Sequence, residues 1–479
     1  MKILFLTENF PPETNASATR VFERACYWAN WGHEITVLTS APNFPRGKLM
    51  AGYRNRWHQV ETRGGMRVVR VKTFIAANQG VVLRSFDFLS FMVSAGVAGL
   101  FEEKPDLIVA TSPQFFAAVG GWALAKARGV PFVFELGDLW PASIAAVGAM
   151  RHSAALRAME RLELFLYRES ACVVALTHAF KANLQERGIP GDKIAVVING
   201  VDLARYAPTP RDATLAAKWD LTGKFVIGYV GTHGMAHGLA NVLEAAERLR
   251  DHDELRFMLV GSGAERSSLM AAARRRKLNN VVFVSPQPKE AMPAVWSLCD
   301  VALVHLKDEP AFREVIPSKM FEAMAMGIPL LLASPDGEAR QILEGDKAGV
   351  WVPAEDPAAL AAVALRLMQK QDERRQLASH SLAAAPLHSR EYQARQMIGI
   401  LEAVAAGDGA GVGVVAAPCA VSSSPAPPAS SAAPSFPACW RRAIKWSPRC
   451  AGLRQPLCLR ARRYKASPIS DRRPTGGPP

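Results

Sequence analysis

Cysteine and long apolar runs are both scarce in this sequence, and each shortage excludes a class of protein. Seven cysteines stand among 479 residues, and four of them follow residue 407. The other three, Cys26, Cys172 and Cys299, have no metal-like spacing and build no disulfide framework; Cys172 and Cys299 lie in or beside apolar runs and read as core. A reducing, cytoplasmic setting is expected. The longest apolar stretch, "FLSFMVSAGVAGLF" at 88–101, has 14 residues, short of the ~20 that span a bilayer. The start, "MKILFLTENFPPE", is too short an apolar run for a secretory signal, and carboxylates follow at once. A strong charge is also missing from most of the chain. The formal net charge is +14, but residues 408–479 carry +9 of it, and residues 1–407 hold 46 basic against 41 acidic side chains. That gives little support to nucleic-acid binding and fits a mildly basic surface that meets anionic lipid or phosphate.

What is present is alternation. "KILFLT", "HEITVLTS", "MRVVRVK", "DLIVATS", "PFVFEL", "CVVALT" and "KIAVVIN" are short, mostly continuous apolar runs, the pattern of strands covered on both faces in a parallel sheet. Helical patterns separate them. After a polar stretch at 199–224 the alternation restarts with "FVIGYVG", "LRFMLVGSG", "NVVFVS", "VALVHL", "PLLLAS" and "GVWVP". The expected fold class is therefore α/β, with two Rossmann-like doubly wound domains facing a cleft. From about residue 407 the chain turns proline-rich, with 12 prolines in the last 72 residues. This tail is expected to be disordered; it reads either as out-of-frame read-through or as a genuine basic tail.

The segment "REVIPSKMFEAMAMGIPLLLAS" (313–334) carries the chemistry. Pro317 suits a first helical position and Gly327 a helix end. Lys319 and Glu322, three apart, share a face near the helix start. A phosphate beside Ser318 and Lys319, a diol on Glu322 and a second polyol at Glu314 describe a nucleotide sugar. A plain Lys–Glu surface pair is the alternative. "DHD" at 251–253 has the letters of a metal-binding Asp-x-Asp, but it follows a helix and precedes a strand, at the wrong sheet edge. No metal and no cofactor are expected.

Glu-x7-Glu before a Gly-x-Pro turn resembles the signature of retaining GT-B glycosyltransferases of family 4. "PPE", "GHEITVLTS", "NGVDLARYAP", "YVGTHGMAHGLANVLEAAERL", "FMLVGSGAERSSL" and "PSKMFEAMAMGIPLLLA" extend the resemblance along residues 1–405. "PNFPRGK", "DLWP" and "PSK" look like the branch that builds bacterial surface polysaccharides, with N-acetyl-L-fucosamine transferases and the colanic-acid glycosyltransferase. The resemblance implies an acceptor-binding domain at 1–200, a linker at 201–224, a nucleotide-sugar-binding domain at 225–385 and a final helix at 386–406 able to pack back on the first domain. It implies transfer, with retention, from a UDP-sugar such as UDP-N-acetyl-L-fucosamine to a polyprenyl-diphosphate-linked saccharide at the inner membrane surface. A silent partner subunit or a GT-B epimerase or hydrolase is the alternative.

By position, Glu322 would bind the ribose, and Glu314, a catalytic candidate together with Asp138, would contact the donor sugar or its phosphate surroundings. Gly231, Thr232, His233 and Gly238 would form the diphosphate loop, with Gly261 and Gly263 beside it, and the stretch around Ser285 would meet the base. Two departures stand out. Thr232 and His237 replace the usual Arg and Lys, which leaves Lys319 as the substitute cation. Gly137 replaces the usual His before Asp138, which leaves Asp138 as the polar group nearest the reaction. Asn15, Ser17 and Arg20 would face the acceptor, and Trp140 either stacks on a sugar or belongs to the core rim. The helix at 81–101, with basic residues at 46–63, would either dock on a membrane or simply cover the sheet.

Overall fold

The computed structural model describes residues 1–407 except 14, 45–46, 76–80, 113–114 and 140–153. The proline-rich tail and Trp140 lie outside the described residues.

Two sheets organise the chain. The first is built from β1 (Lys2–Leu6), β2 (Glu34–Ser40), β3 (His58–Arg63), β4 (Met66–Val71), β5 (Leu107–Thr111), β6 (Phe132–Leu136), β7 (Cys172–Ala175) and β8 (Ile194–Val196). Their spatial order is β3-β4-β2-β1-β5-β6-β7-β8. The second is built from β9 (Phe225–Val230), β10 (Leu255–Val260), β11 (Val281–Val284), β12 (Val301–His305), β13 (Leu330–Ser334) and β14 (Gly349–Pro353), in the order β11-β10-β9-β12-β13-β14. Every pairing is parallel except β3 with β4. The strand order reverses beside β1 and beside β9, and ligands of doubly wound sheets bind outside the carboxyl ends of strands at such points.

Helices α1 (Ala16–Asn30), α2 (Val81–Phe101), α3 (Phe115–Arg128), α4 (Ala154–Glu169) and α5 (His178–Glu186) belong to the first domain. They are followed by α6 (Ala213–Lys218), α7 (Ala240–Arg248), α8 (Arg266–Arg275), α9 (Met292–Trp296), α10 (Lys319–Ala325), α11 (Glu338–Gly345), α12 (Pro357–Gln369), α13 (Gln371–Ala384) and α14 (Arg390–Ala406). Each sheet carries a core on both faces, which is why β5, β6, β12 and β13 are buried along their whole length.

Two features depart from the sequence pattern. The strand β3, "HQVETR", has no apolar run and alternates exposed with half-buried residues. It is an antiparallel edge strand whose charges guard a free sheet edge. The stretch 201–224 is not a free linker. Val201, Tyr206, Ala216 and Leu221 are buried in the core of the second domain, and α6 is capped by Asp212, which accepts from the Leu215 N–H at 2.8 Å. The apolar residues there are spaced singly among polar ones and prolines, so no periodicity reveals them.

The chain passes between domains along two adjoining segments. The Val201 N–H donates to His388 O and the Arg390 N–H to Val201 O, both at 2.8 Å. Beyond that point α14 lies on the first domain, where Met397 and Leu401 are fully buried against the α1 side of the sheet. Trp28 Nε1 donates to Ala394 O at 2.9 Å. Replacing a buried leucine by alanine costs about 2–5 kcal/mol. Leu401→Ala is expected to lower first-domain stability by about that amount, read in a urea melt, with the unfolding of the second domain unmoved.

Candidate active site

At the carboxyl end of the second sheet two loops lie back to back. One runs from Gly231, after β9, to Gly238; the other is Gly261–Glu265, after β10. The Gly231 N–H donates to Val260 O, the His233 N–H to Ser262 O and the Glu265 N–H to His233 O, at 2.8–3.0 Å. A Cβ on Gly261 would lie 1.9 Å from Gly231 O, and one on Gly263 would lie 2.3 Å from His233 O. These two glycines are needed for the loops to touch, a role their expected approach to a ligand did not include. The Asp-x-Asp letters, Asp251 and Asp253, precede β10 and so lie at the opposite sheet edge.

Lys319 begins α10 under this loop pair. Its Nζ lies 3.9 Å from the centre of the Tyr229 ring, is closed to solvent and has no hydrogen-bond partner among the described residues. A Cβ on Gly231 would come within 2.7 Å of it. Burial lowers its pKa to about 7, against a smaller upward pull from Glu322. Around it stand three imidazoles. His233 is buried, with neither ring nitrogen bonded among the described residues. His305 Nδ1 faces His237 O at 2.7 Å, so it is the protonated nitrogen, and Nε2 accepts from Asn241 Nδ2 at 2.7 Å. Burial lowers all three, His233, His237 and His305, to about 4, and the Lys319 charge adds to the effect. Arg266, half-buried, donates from Nε to Gly261 O at 3.1 Å. It is a basic residue at this edge that the sequence reading did not single out, because it belongs to no charged motif of its own.

One turn into α10, Glu322 accepts from Trp296 Nε1 at 3.1 Å. Burial raises its pKa, and the bonds from Trp296 and Tyr206 and the charges of Lys289 and Lys319 pull the other way without cancelling it. Glu314 ends a single 3-10 turn, Pro310–Glu314. Its carboxyl is raised by burial first, then by the nearby charges of Glu338 and Glu186. Glu186 belongs to α5 of the first domain, so Glu314 stands at the cleft. Ser318 is exposed, as is Thr232, whose carbonyl accepts from the Tyr229 hydroxyl at 2.7 Å. Ser285 is an exposed residue just past β11.

Across the cleft, the edge of the first sheet is organised by Ser112. Its Oγ accepts from the Gly137 N–H at 2.7 Å and the Asp138 N–H at 3.2 Å, which seats half-buried Asp138 at the end of β6. Arg20 does not stand open to an acceptor. Its guanidinium is turned inward, with Nε 3.2 Å from Glu135 Oε1 and Nη2 donating to Thr111 Oγ1 at 3.2 Å. Arg24 holds the same carboxylate oxygen at 2.7 Å. Burial pushes the Glu135 carboxyl up, but the two arginines outweigh it and hold it below the usual range. A Cβ at Gly137 would sit 2.7 Å from the Ser112 backbone O and 2.8 Å from Arg20 Nη2, so glycine at 137 goes first with the close approach of the Ser112 backbone and then with the inward arginine. Asn15 uses its side-chain oxygen to cap α1, accepting from the Ala18 N–H at 2.8 Å, and Ser17 Oγ is buried.

Two carboxyl sheet edges therefore confront each other, one with a buried basic cluster and two carboxyls, the other with Asp138. Against known proteins, residues 15–200 match the family "Glycosyl transferase 4-like domain" and residues 213–381 match "Glycosyl transferases group 1". This chain is a glycosyltransferase of the GT-B type. The transferase is 29% identical over 339 residues to WcaI of Escherichia coli (strain K12), a protein named as a colanic acid biosynthesis glycosyl transferase, with 68% of this chain and 82% of that one covered. It is 25% identical to a GDP-mannose-dependent alpha-mannosyltransferase of Mycobacterium tuberculosis (strain CDC 1551 / Oshkosh), with 74% and 84% covered. Anabaena HepE, solved with UDP, superposes with a TM-score of 0.63 at 18% identity, covering 84% of this chain and all of that one.

An anion reaching Lys319 raises its pKa, so binding takes up a proton at a pH where the free amine is neutral. A nucleoside diphosphate held at Lys319 would have its full affinity below about pH 7. It falls as pH rises above that value, by up to about tenfold per unit. Calorimetry at pH 8 in buffers of different ionisation heat is expected to show uptake of up to about one proton, and Lys319→Met to abolish it.

Proposed function

We propose that the transferase moves a sugar, with retention, from a UDP-sugar to a polyprenyl-diphosphate-linked saccharide in bacterial surface polysaccharide synthesis. The observation that carries the donor half is the buried Lys319 amine between the Gly231 loop and Glu322, which has no hydrogen-bond partner among the described residues. A charge desolvated in this way is costly unless an anion joins it. A diphosphate laid over Gly231 would supply that anion, Arg266 would add a second positive charge, and Glu322 would accept from the ribose hydroxyls. Glu314 would hold the donor sugar, and Asp138 would face the acceptor hydroxyl. Stabilisation of the leaving diphosphate comes in this reading from fixed basic groups and backbone N–H groups. UDP is the nucleotide implied by the family 4 resemblance; the mannosyltransferase relative, named for GDP-mannose, makes GDP the second reading. Titration of the chain with UDP and GDP, beside Glu322→Ala, separates them. The expected result is micromolar to millimolar UDP affinity that falls at least about tenfold in the variant, one bidentate charged contact being worth about 1.5–3 kcal/mol. Equal affinity in both proteins would sink the donor assignment.

The acceptor half rests on a surface. Among the described residues no helix is long and apolar enough to cross a membrane. The helix α2 buries Phe91 and Ala95 against the sheet and leaves Leu83, Phe86, Val93, Val97, Leu100 and Phe101 exposed, Phe101 by 85%. Phe74 meets Phe86 edge-on at 6.5 Å, and exposed Trp57 lies under Lys72 Nζ at 4.8 Å. Exposed Lys48, Arg54 and Arg56 are near in sequence. Apolar aromatics rimmed by cations are what an anionic lipid interface takes up. WcaI is by its name a colanic acid biosynthesis enzyme, and a lipid-carried saccharide as acceptor is what the family 4 resemblance implies. Flotation with anionic vesicles is expected to carry the wild-type chain upward and to lose most of it when Phe86 and Phe101 are both changed to glutamate, with nucleotide affinity unchanged. Equal flotation of the two proteins would remove this surface from the proposal.

A further inference from the structure

Away from the donor residues, one side chain of the second domain is built into the first. Glu338 opens α11, directly after the loop that leaves β13. It is only 6% exposed. Its Oε1 accepts from the His178 N–H at 2.8 Å and its Oε2 from the Ala179 N–H at 3.0 Å. These are the first two amides of α5, which have no carbonyl partner within their own helix. The third amide, that of Phe180, is taken by Thr177 Oγ1 at 3.0 Å. The Glu338 carboxylate therefore makes a two-pronged, charge-assisted contact at the positive end of a helix in the other domain.

The contact ties together the two sides of the reaction. On the second domain, Gly337 is pressed against the turn that carries Glu314: a Cβ on Gly337 would lie 2.2 Å from Arg313 O. On the first domain, α5 follows β7, and β7 pairs along β6, whose carboxyl end leads to Asp138. Moving Glu338 off α5 thus moves the Glu314 turn relative to the Asp138 edge. Among the described residues, another charged bridge from first-domain body to second is Lys289 Nζ to Glu23 Oε1 at 3.4 Å, with the lysine side chain 45% exposed; an exposed single pair of that kind holds little.

We infer that Glu338 is a positioning residue: it latches the second domain to the N-terminus of α5 and sets the spacing of the two sheet edges across the cleft. Without it the His178 and Ala179 amides are left to solvent, and the domains swing about the paired segments at Val201 and His388–Arg390. The latch rests on the glycosyltransferase reading only for its catalytic meaning; its geometry stands apart from the nucleotide assignment.

The test uses the full chain with Glu338→Gln and Glu338→Ala. Hydrogen exchange is read at residues 177–181, the radius of gyration by small-angle scattering, and binding by titration with UDP and with GDP. Amides 178 and 179 are expected to exchange at least tenfold faster in the alanine variant. The radius of gyration should rise, and nucleotide affinity should stay within twofold. The glutamine variant keeps one acceptor oxygen and should lie between, which preserves the test if the alanine variant does not fold. Faster exchange with an unchanged radius of gyration would reduce Glu338 to a local helix cap and overturn the latch, as would unchanged exchange. A wild-type chain that binds neither nucleotide would overturn the donor assignment instead, leaving exchange and scattering to decide the latch.

Discussion

The candidate active site depends on one desolvated amine. Lys319 is held under Gly231 and over the Tyr229 ring with nothing to donate to among the described residues. That arrangement is possible only because two glycine-containing loops meet backbone to backbone above it, and because β9 and β10 end side by side to launch them. The neighbouring imidazoles are kept neutral by the same burial. The pocket thus holds basicity in reserve, and positive charge develops when an anion arrives to share it. A diphosphate is both the ligand that such a pocket favours and the group whose departure a sugar transfer must stabilise.

The opposite edge solves a different problem with charges that are already satisfied. Arg20 and Arg24 close on Glu135 beneath the Asp138 loop, and Ser112 bonds the two amides that start it. Their work is to hold backbone, which is why an arginine predicted to greet the acceptor is found facing inward. Between the edges, the paired crossing segments and the Glu338 contact decide how far apart the two half-sites stand. Geometry within each domain is set by sheet packing; geometry across the cleft rests on a handful of hydrogen bonds.

Much of this was legible in the residues. Both parallel sheets announce themselves as continuous apolar runs, since strands covered on both faces need no alternation. The helix at Lys319–Ala325 is followed by Gly327 as its C-terminal end predicts, but its N-cap is Ser318, so Pro317 precedes the helix and does not take the expected first helical position; Glu314, Lys319 and Glu322 still fall on one short stretch beside the same sheet edge. The edge strand β3 escaped because it is solvated on one side and charged, and the 201–224 stretch escaped because its buried residues are isolated in sequence. Arg266, Trp296 and Tyr206 carry no motif of their own; they reach the site from three separate segments.

The sequence by itself therefore determined the fold class, the two-domain division and the grouping of Glu314, Lys319 and Glu322 within one short stretch, because local periodicity and spacing encode them. Only the tertiary structure decided which way Arg20 turns, why residue 137 is glycine, which groups surround Lys319 and that Glu338 of one domain caps a helix of the other. Those are contacts between residues far apart along the chain, and their energies come from burial and pairing that exist only once the sheets have packed.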